Sequence, residues 1–156
     1  MRLPTKARYG MRAMLDLALH AAEGPVLMRD IASRQGLPVK YLEQVLIPLR
    51  QARLVRSARG ARGGYMLARD ASEINLLEIV EASMGDLAMV DCTEDPGYCA
   101  RVDACATYVI WKELTETIRE TLAKRSLADL VDIERGVRKE RSSAGRSAVG
   151  SAQERK

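Results

Sequence analysis

The chain has 156 residues, enough for one compact domain with peripheral elements and too few for two full ones. Apolar residues make up 47% of it and aromatics only 4%, with no Phe, so a core of Leu, Ile, Val, Ala and Met is expected, a composition that favours helices. No run approaches the roughly 18 consecutive apolar residues that span a bilayer, and residues 1–6 lack an apolar signal region; a cytoplasmic chain with no membrane partner is expected.

The net charge of +4 hides an asymmetry: residues 1–69 hold 13 Lys/Arg and 4 Asp/Glu, residues 70–133 hold 5 and 14, and residues 134–156 hold 7 and 3. Only the first part has the excess suited to a polyanion, beside an acidic part with another task. Charge alone equally allows two ordinary solvated faces.

In chain order, Thr5 is a candidate N-cap for a first helix whose apolar stripe is Tyr9, Ala13, Met14, Leu17, Ala18 and Ala21, ended by Gly24-Pro25. A short second helix fits Met28 to Arg34, with Ile31 and Ala32 inward, and Gln35-Gly36-Leu37 reads as a tight turn in which Gly supplies φ > 0. Pro38 opens a third helix with Leu42, Val45, Leu46 and Leu49 inward. Pro48 lacks the amide that would bond to Gln44, which predicts a kink or an end near Ile47. Leu54–Ser57 and Tyr65–Ala68 then read as strands around the basic, glycine-rich turn 60–64. A fourth helix begins around Asn75, and a cysteine-bearing loop spans 91–105. Ile110, Leu114, Ile118 and Leu122, widened by Val109, Thr117 and Thr121, mark a long amphipathic helix over 106–124. Leu127–Ile133 adds a turn or two, and the basic segment 134–156 reads as a disordered tail.

Short helix, glycine turn, longer helix and basic hairpin, inside the basic part, define a winged helix-turn-helix over 1–81. The fold class expected is mainly α with one small β-hairpin. In such a module the third helix enters the major groove, which places Pro38, Lys40, Tyr41, Glu43 and Gln44 near the bases. Gln pairs bidentately with adenine, Glu accepts from cytosine N4, and Lys40 suits phosphate. Arg59 and Arg62 on the wing suit the minor groove, and Arg2, Lys6 and Arg8 suit phosphates. A helical protein-binding module is the alternative that the charge opposes. The 60–64 turn fits neither a Walker loop nor a dinucleotide fingerprint.

All three cysteines, Cys92, Cys99 and Cys105, fall within fourteen residues of a loop rich in Asp, Gly and Pro. In a cytoplasmic protein this suggests a metal site or redox switch over a disulfide framework. Zinc sites commonly use closely paired Cys, so the wider spacing suits an iron–sulfur cluster, [2Fe–2S] or [4Fe–4S]. A thiol-redox or zinc-stabilised DNA-binding repressor stays open, and so does an iron–sulfur carrier or enzyme. Against the last stand one His, no paired nucleophile and base, and no cofactor fingerprint, so no catalytic residue is assigned.

The motifs Arg8-Tyr9, Ala13-Met14-Leu15-Asp16, Gly24-Pro25-Val26, Arg34-Gln35-Gly36, Tyr41-Leu42-Glu43-Gln44, Gly63-Gly64-Tyr65 and the three-cysteine loop leading to Trp111 resemble the Rrf2 family of bacterial repressors over about residues 1–133. The resemblance implies a cluster-sensing transcriptional regulator of iron–sulfur, iron or stress genes. It also implies a homodimer on a palindromic promoter operator, with residues 82–133 holding the cysteine loop and a dimerisation helix, and it makes Pro48 tolerable. Iron–sulfur members place a His three residues after the last Cys, where this chain has Tyr108. Others recruit an Asp from the partner's first helix, where this chain aligns Arg8. The fourth ligand is thus open among His20, Glu94, Asp95, Asp103 and solvent.

Overall fold

The computed structural model describes residues 3–60 and 63–153. Seven α-helices and one hairpin follow in chain order: α1 (Thr5–Leu19), α2 (Met28–Gln35), α3 (Val39–Gln51), β1 (Val55–Ala58), β2 (Gly64–Leu67), α4 (Leu76–Met84), α5 (Asp91–Glu94), α6 (Ala106–Ala123) and α7 (Leu127–Gln153). The core is aliphatic, as the composition requires: Met14 and Leu17 of α1, Ile31 of α2, Leu42, Leu46 and Leu49 of α3 and Ile79 of α4 are each essentially fully buried.

α1 begins one position earlier than its Thr suggests: Pro4 occupies the cap and Thr5 is the first helical residue. Gly36 adopts φ 62° at the end of α2, and the Leu37 amide reaches back to Ala32 O at 2.9 Å, the left-handed helix stop read from sequence. The expected break at Pro48 does not occur, since α3 continues to Gln51 and the Ala52 amide donates to Pro48 O at 2.9 Å. Leu46 and Leu49 flank the proline and are both buried, so their packing holds the helix across one missing hydrogen bond.

The hairpin is antiparallel, with Val55 opposite Leu67 and Ala58 opposite Gly64. Val26 adds a third pairing: its amide donates to Tyr65 O at 2.9 Å and its carbonyl accepts from the Tyr65 amide at 2.8 Å. A Cβ on Gly64 would lie 2.5 Å from Val26 O, so only glycine permits this approach. Asn75 caps α4 in a reciprocal box with Glu78. Ser126 and Asp129 form the equivalent arrangement at the start of α7. There the Leu127 amide donates to Ile74 O at 2.7 Å, which ties the α6–α7 junction to the start of α4.

Where the sequence predicts disorder over 134–156, α7 runs on as helix to Gln153. Over residues 134–141 its straight-chain Arg, Lys and Glu residues lose little rotamer freedom in a helix, and one-turn ion pairs such as Arg138–Glu134 at 2.6 Å support it there.

Candidate nucleic-acid interface and cysteine loop

The turn between α2 and α3 stands on a buried carboxylate. Asp16, on α1, is 1% exposed and accepts two hydrogen bonds from Arg34 of α2, at 2.9 Å from Nε and 2.7 Å from Nη2. Gln35 Nε2 donates a third at 3.1 Å. The bond to Asp16 raises the Arg34 guanidinium above its ordinary pKa. A planar fork on a carboxylate fixes orientation as well as distance, so α2 is oriented on α1 and, through the Gly36 turn, α3 is oriented with it. Sequence periodicity passes over Asp16, although a carboxylate between Ala13 and Leu17 on the inner side of α1 is a readable signal of a buried partner.

Of the predicted DNA contacts, Lys6 and Arg8 are exposed at the start of α1, Pro38 caps α3 in the open, and Lys40, Glu43 and Gln44 are exposed along α3. Arg59 is exposed at the end of β1, while Arg2 and Arg62 lie outside the described residues. Tyr41 is half-buried, with its ring 5.5 Å from that of Tyr9 at an interplanar angle of 84°, an edge-to-face contact. Two further α3 residues went unnoticed in the sequence: Val39 and Ile47 are exposed apolar side chains beside the polar set.

The cysteine loop is made of α5 and two 3₁₀ turns, Pro96–Tyr98 and Val102–Ala104, before Cys105 caps α6. All three thiols are free and partly exposed. Hydrogen bonding by the Thr107 hydroxyl, 3.1 Å away, and by the Tyr108 amide holds the Cys105 thiol below its ordinary pKa, and Arg101 adds to this. Among the described residues, no three His, Cys, Asp or Glu side chains converge as a metal-binding group. His20 is brought to Asp16: its Nδ1 lies 2.8 Å from Asp16 O and 3.8 Å from Oδ2. Asp95 accepts from the Gly97 amide at 2.9 Å, and Glu94 and Asp103 are exposed.

α6 divides its apolar stripe between two surfaces. Ile118 and Leu122 pack on Ala7, Val80 and Leu87, and Arg119 pairs with Glu81 of α4 at 2.7 Å. Thr115 is buried, donating to Trp111 O at 2.8 Å and accepting from the Met89 amide at 3.2 Å, so the approach to the loop is tied to this helix. Val109, Ile110 and Leu114 instead remain 61%, 54% and 41% exposed.

Helix, glycine turn, exposed third helix and two-stranded wing, presented on a basic half, define a winged-helix DNA-binding regulator. Comparison with known proteins gives the family. Residues 3–133 match the model of Rrf2, described as "Iron-dependent Transcriptional regulator". The transcriptional regulator IscR of Xenorhabdus nematophila is 44% identical over 131 residues, 84% of this chain and 79% of that protein. A regulator named ORF2 from Azotobacter vinelandii is 46% identical over the same shares. Among solved structures, T. potens IscR superposes with a TM-score of 0.71 at 38% identity, covering 86% of this chain and 88% of that one. CymR, the global cysteine regulator of B. subtilis, superposes with a TM-score of 0.72 at 34% identity, covering 85% and 98%. The chain belongs to the Rrf2 family of transcriptional regulators. These relatives are regulators of transcription and not enzymes. Among the described residues, no helix is long and apolar enough to cross a membrane.

Proposed function

We propose that this protein is a homodimeric repressor whose operator affinity is set by an iron–sulfur cluster held on Cys92, Cys99 and Cys105. The observation that carries the reading is that the only three thiols of the chain sit on one short loop that ends as the cap of α6, the helix with an unpartnered apolar stretch. Partly exposed thiols without disulfide partners, one with a lowered pKa, are suitable donors for iron. When bound, the cluster supplies sensitivity to iron, oxygen or reactive gases, either as [2Fe–2S] or as [4Fe–4S].

The chain's own residues account for the rest. Drawing the three thiols together constrains residues 91–105, and Cys105 transmits that constraint directly to the first turn of α6. Val109, Ile110 and Leu114 then meet their counterparts in a second subunit, as exposed apolar groups at helical spacing do best. Thr115 and Arg119 carry the position of α6 to Met89 and Glu81. The two recognition helices are thereby held at one separation, which suits a palindrome with half-sites about one helical turn apart. Residues 1–81 serve as the DNA-binding unit and 82–133 as the sensing and pairing unit.

On each half-site, Glu43 and Gln44 meet base edges, Val39 and Ile47 offer apolar contact to thymine methyls, and Lys6, Arg8 and Lys40 meet phosphates. Arg59 extends this basic surface, and Arg2 and Arg62, read as DNA contacts from the sequence, lie outside the described residues. His20 bonds through Nδ1 to the Asp16 carbonyl, an arrangement that leaves Nε2 able to ligate, so the fourth ligand stays open between it, a loop carboxylate and solvent. Three thiols plus solvent or a loop carboxylate leaves part of the cluster exchangeable, which suits sensing. Anaerobic purification followed by an absorption spectrum with iron and sulfide analysis tests this reading. Stoichiometric iron and sulfide are expected; zinc, or no metal at all, would favour the thiol or zinc alternative.

A further inference from the structure

Tyr9 and Arg12, two residues of α1 that lie outside the recognition helix, are joined to it and to the turn before it. Arg12 Nε donates to Gln35 Oε1 at 3.0 Å, and its Nη2 donates to the Gln35 carbonyl, the last residue of α2. The same guanidinium lies 5.5 Å from the centre of the Tyr9 ring, and Arg8 lies at 5.5 Å from that ring as well. Tyr9 in turn packs edge-to-face on Tyr41, in the first turn of α3. Gln35 closes the circuit through its amide, which donates to the buried Asp16.

We infer that Tyr9 and Arg12 are specificity-determining positioning residues: they set the pose of Tyr41 and of the first turn of α3, and so decide how well base edges are read. The geometry favours this over a plain structural role. Arg12 is exposed, so packing alone does not explain why its Nε and Nη2 both bond to one glutamine at the helix-turn-helix corner. It also disfavours a bidentate grip on phosphate through the Nε–Nη2 edge of Arg12, because that edge is taken by Gln35. The second helix is thus held from two sides, by Asp16 beneath and by Arg12 above, with the tyrosine pair carrying the restraint across to α3.

The inference rests on the reading that α3 meets base edges, so the test includes a control for it. Full-length, cluster-loaded protein is titrated by fluorescence anisotropy against two duplexes, one selected by the wild-type protein from a random pool and one scrambled, over a series of salt concentrations. Arg12→Lys keeps the charge and helix propensity but loses the fork; Tyr9→Leu keeps the bulk but loses the ring. Each is expected to weaken the selected duplex about tenfold, the size of one misread base pair, and the scrambled duplex less than about twofold, with the salt slope unchanged. An unchanged selected-to-scrambled ratio in both variants, with or without a lower Tm, overturns the inference. Equal weakening on both duplexes with a salt slope reduced by about one in Arg12→Ala also overturns it, because Arg12 would then be a phosphate contact. Gln44→Ala separates the two levels. If it lowers the ratio while Arg12→Lys and Tyr9→Leu do not, only this inference fails; if it too leaves the ratio unchanged, the base-reading role of α3 fails first.

Discussion

Gly10 sits where α1 crosses α4, and a Cβ built there would lie 2.2 Å from Ser83 Oγ and 3.2 Å from Ser83 Cβ. Ser83 is buried and donates to Ile79 O at 2.7 Å, so it cannot swing its hydroxyl away without stranding it. Gly10→Ala therefore forces either a displaced helix pair, at about 1–3 kcal/mol for overpacking, or an unbonded buried hydroxyl, at a similar 1–3 kcal/mol. Replacing glycine inside a helix returns about 1 kcal/mol. The net expectation is a loss of up to about 2 kcal/mol, a fall in Tm of up to several degrees for a chain of this size. Ser83→Ala removes the obstructing Oγ and is expected to be nearly neutral alone, since it deletes a donor together with its need for a partner. The double variant is expected to recover most of the loss, with a coupling energy near 2 kcal/mol. Urea unfolding of the four proteins, followed by circular dichroism, measures the cycle. A stabilising Gly10→Ala, or simple additivity with Ser83→Ala, would refute the close approach of these helices.

Three further outcomes follow from the same coordinates. Arg53 adopts φ 57° just past α3, a region that costs an L side chain about 1 kcal/mol or more, so Arg53→Gly is expected to raise stability by about 0.5–1 kcal/mol in urea titration. Hydrogen bonds from Ser126 lower the pKa of Asp129, so its contribution is present above the unfolded carboxylate value and is lost as pH falls through the lower folded value. The Tm advantage of wild type over Asp129→Ala should accordingly be full near neutrality and vanish on acidification below the ordinary carboxylate range; an advantage independent of pH would contradict it. Ile110→Asp with Leu114→Asp places charge on the exposed stretch of α6 and should shift the protein from dimer to monomer in analytical ultracentrifugation at little cost to its helix content.

The winged-helix architecture was legible because each of its parts has a local cause: Gly36 for the left-handed turn, Asn75 for the start of α4, and a glycine-rich turn between two strands. What escaped was decided by partners distant in the chain. Pro48 predicts a break from its missing amide, and the burial of Leu46 and Leu49 overrides it. Val26 carries no strand pattern of its own and pairs with Tyr65 because Gly64 leaves room. The long stripe of α6 reads as one face, yet packing by α4 covers only its second half. α7 shows the opposite failure: with no apolar stripe to read beyond Gly136, the helix rests on propensity and ion pairs that periodicity does not register. Of the proposed site, the cysteines stand out in the sequence by clustering, and the polar side chains of α3 by their position after a turn. Tyr9, Arg12 and Asp16 did not, because on a single helix they look like ordinary members of a stripe and a solvated face; only α2 and α3 reveal what they hold.

The most direct test of the account compares operator affinity in anaerobic anisotropy titrations for three proteins: the cluster-loaded form, the same protein after removal of iron, and the variant with Cys92, Cys99 and Cys105 all replaced by Ala. The account predicts that loaded and stripped protein differ at the selected operator, and that the triple variant matches the stripped protein whether or not iron and sulfide are supplied. Equal affinity in all three would contradict it, leaving a winged-helix regulator whose cysteines do not control DNA binding.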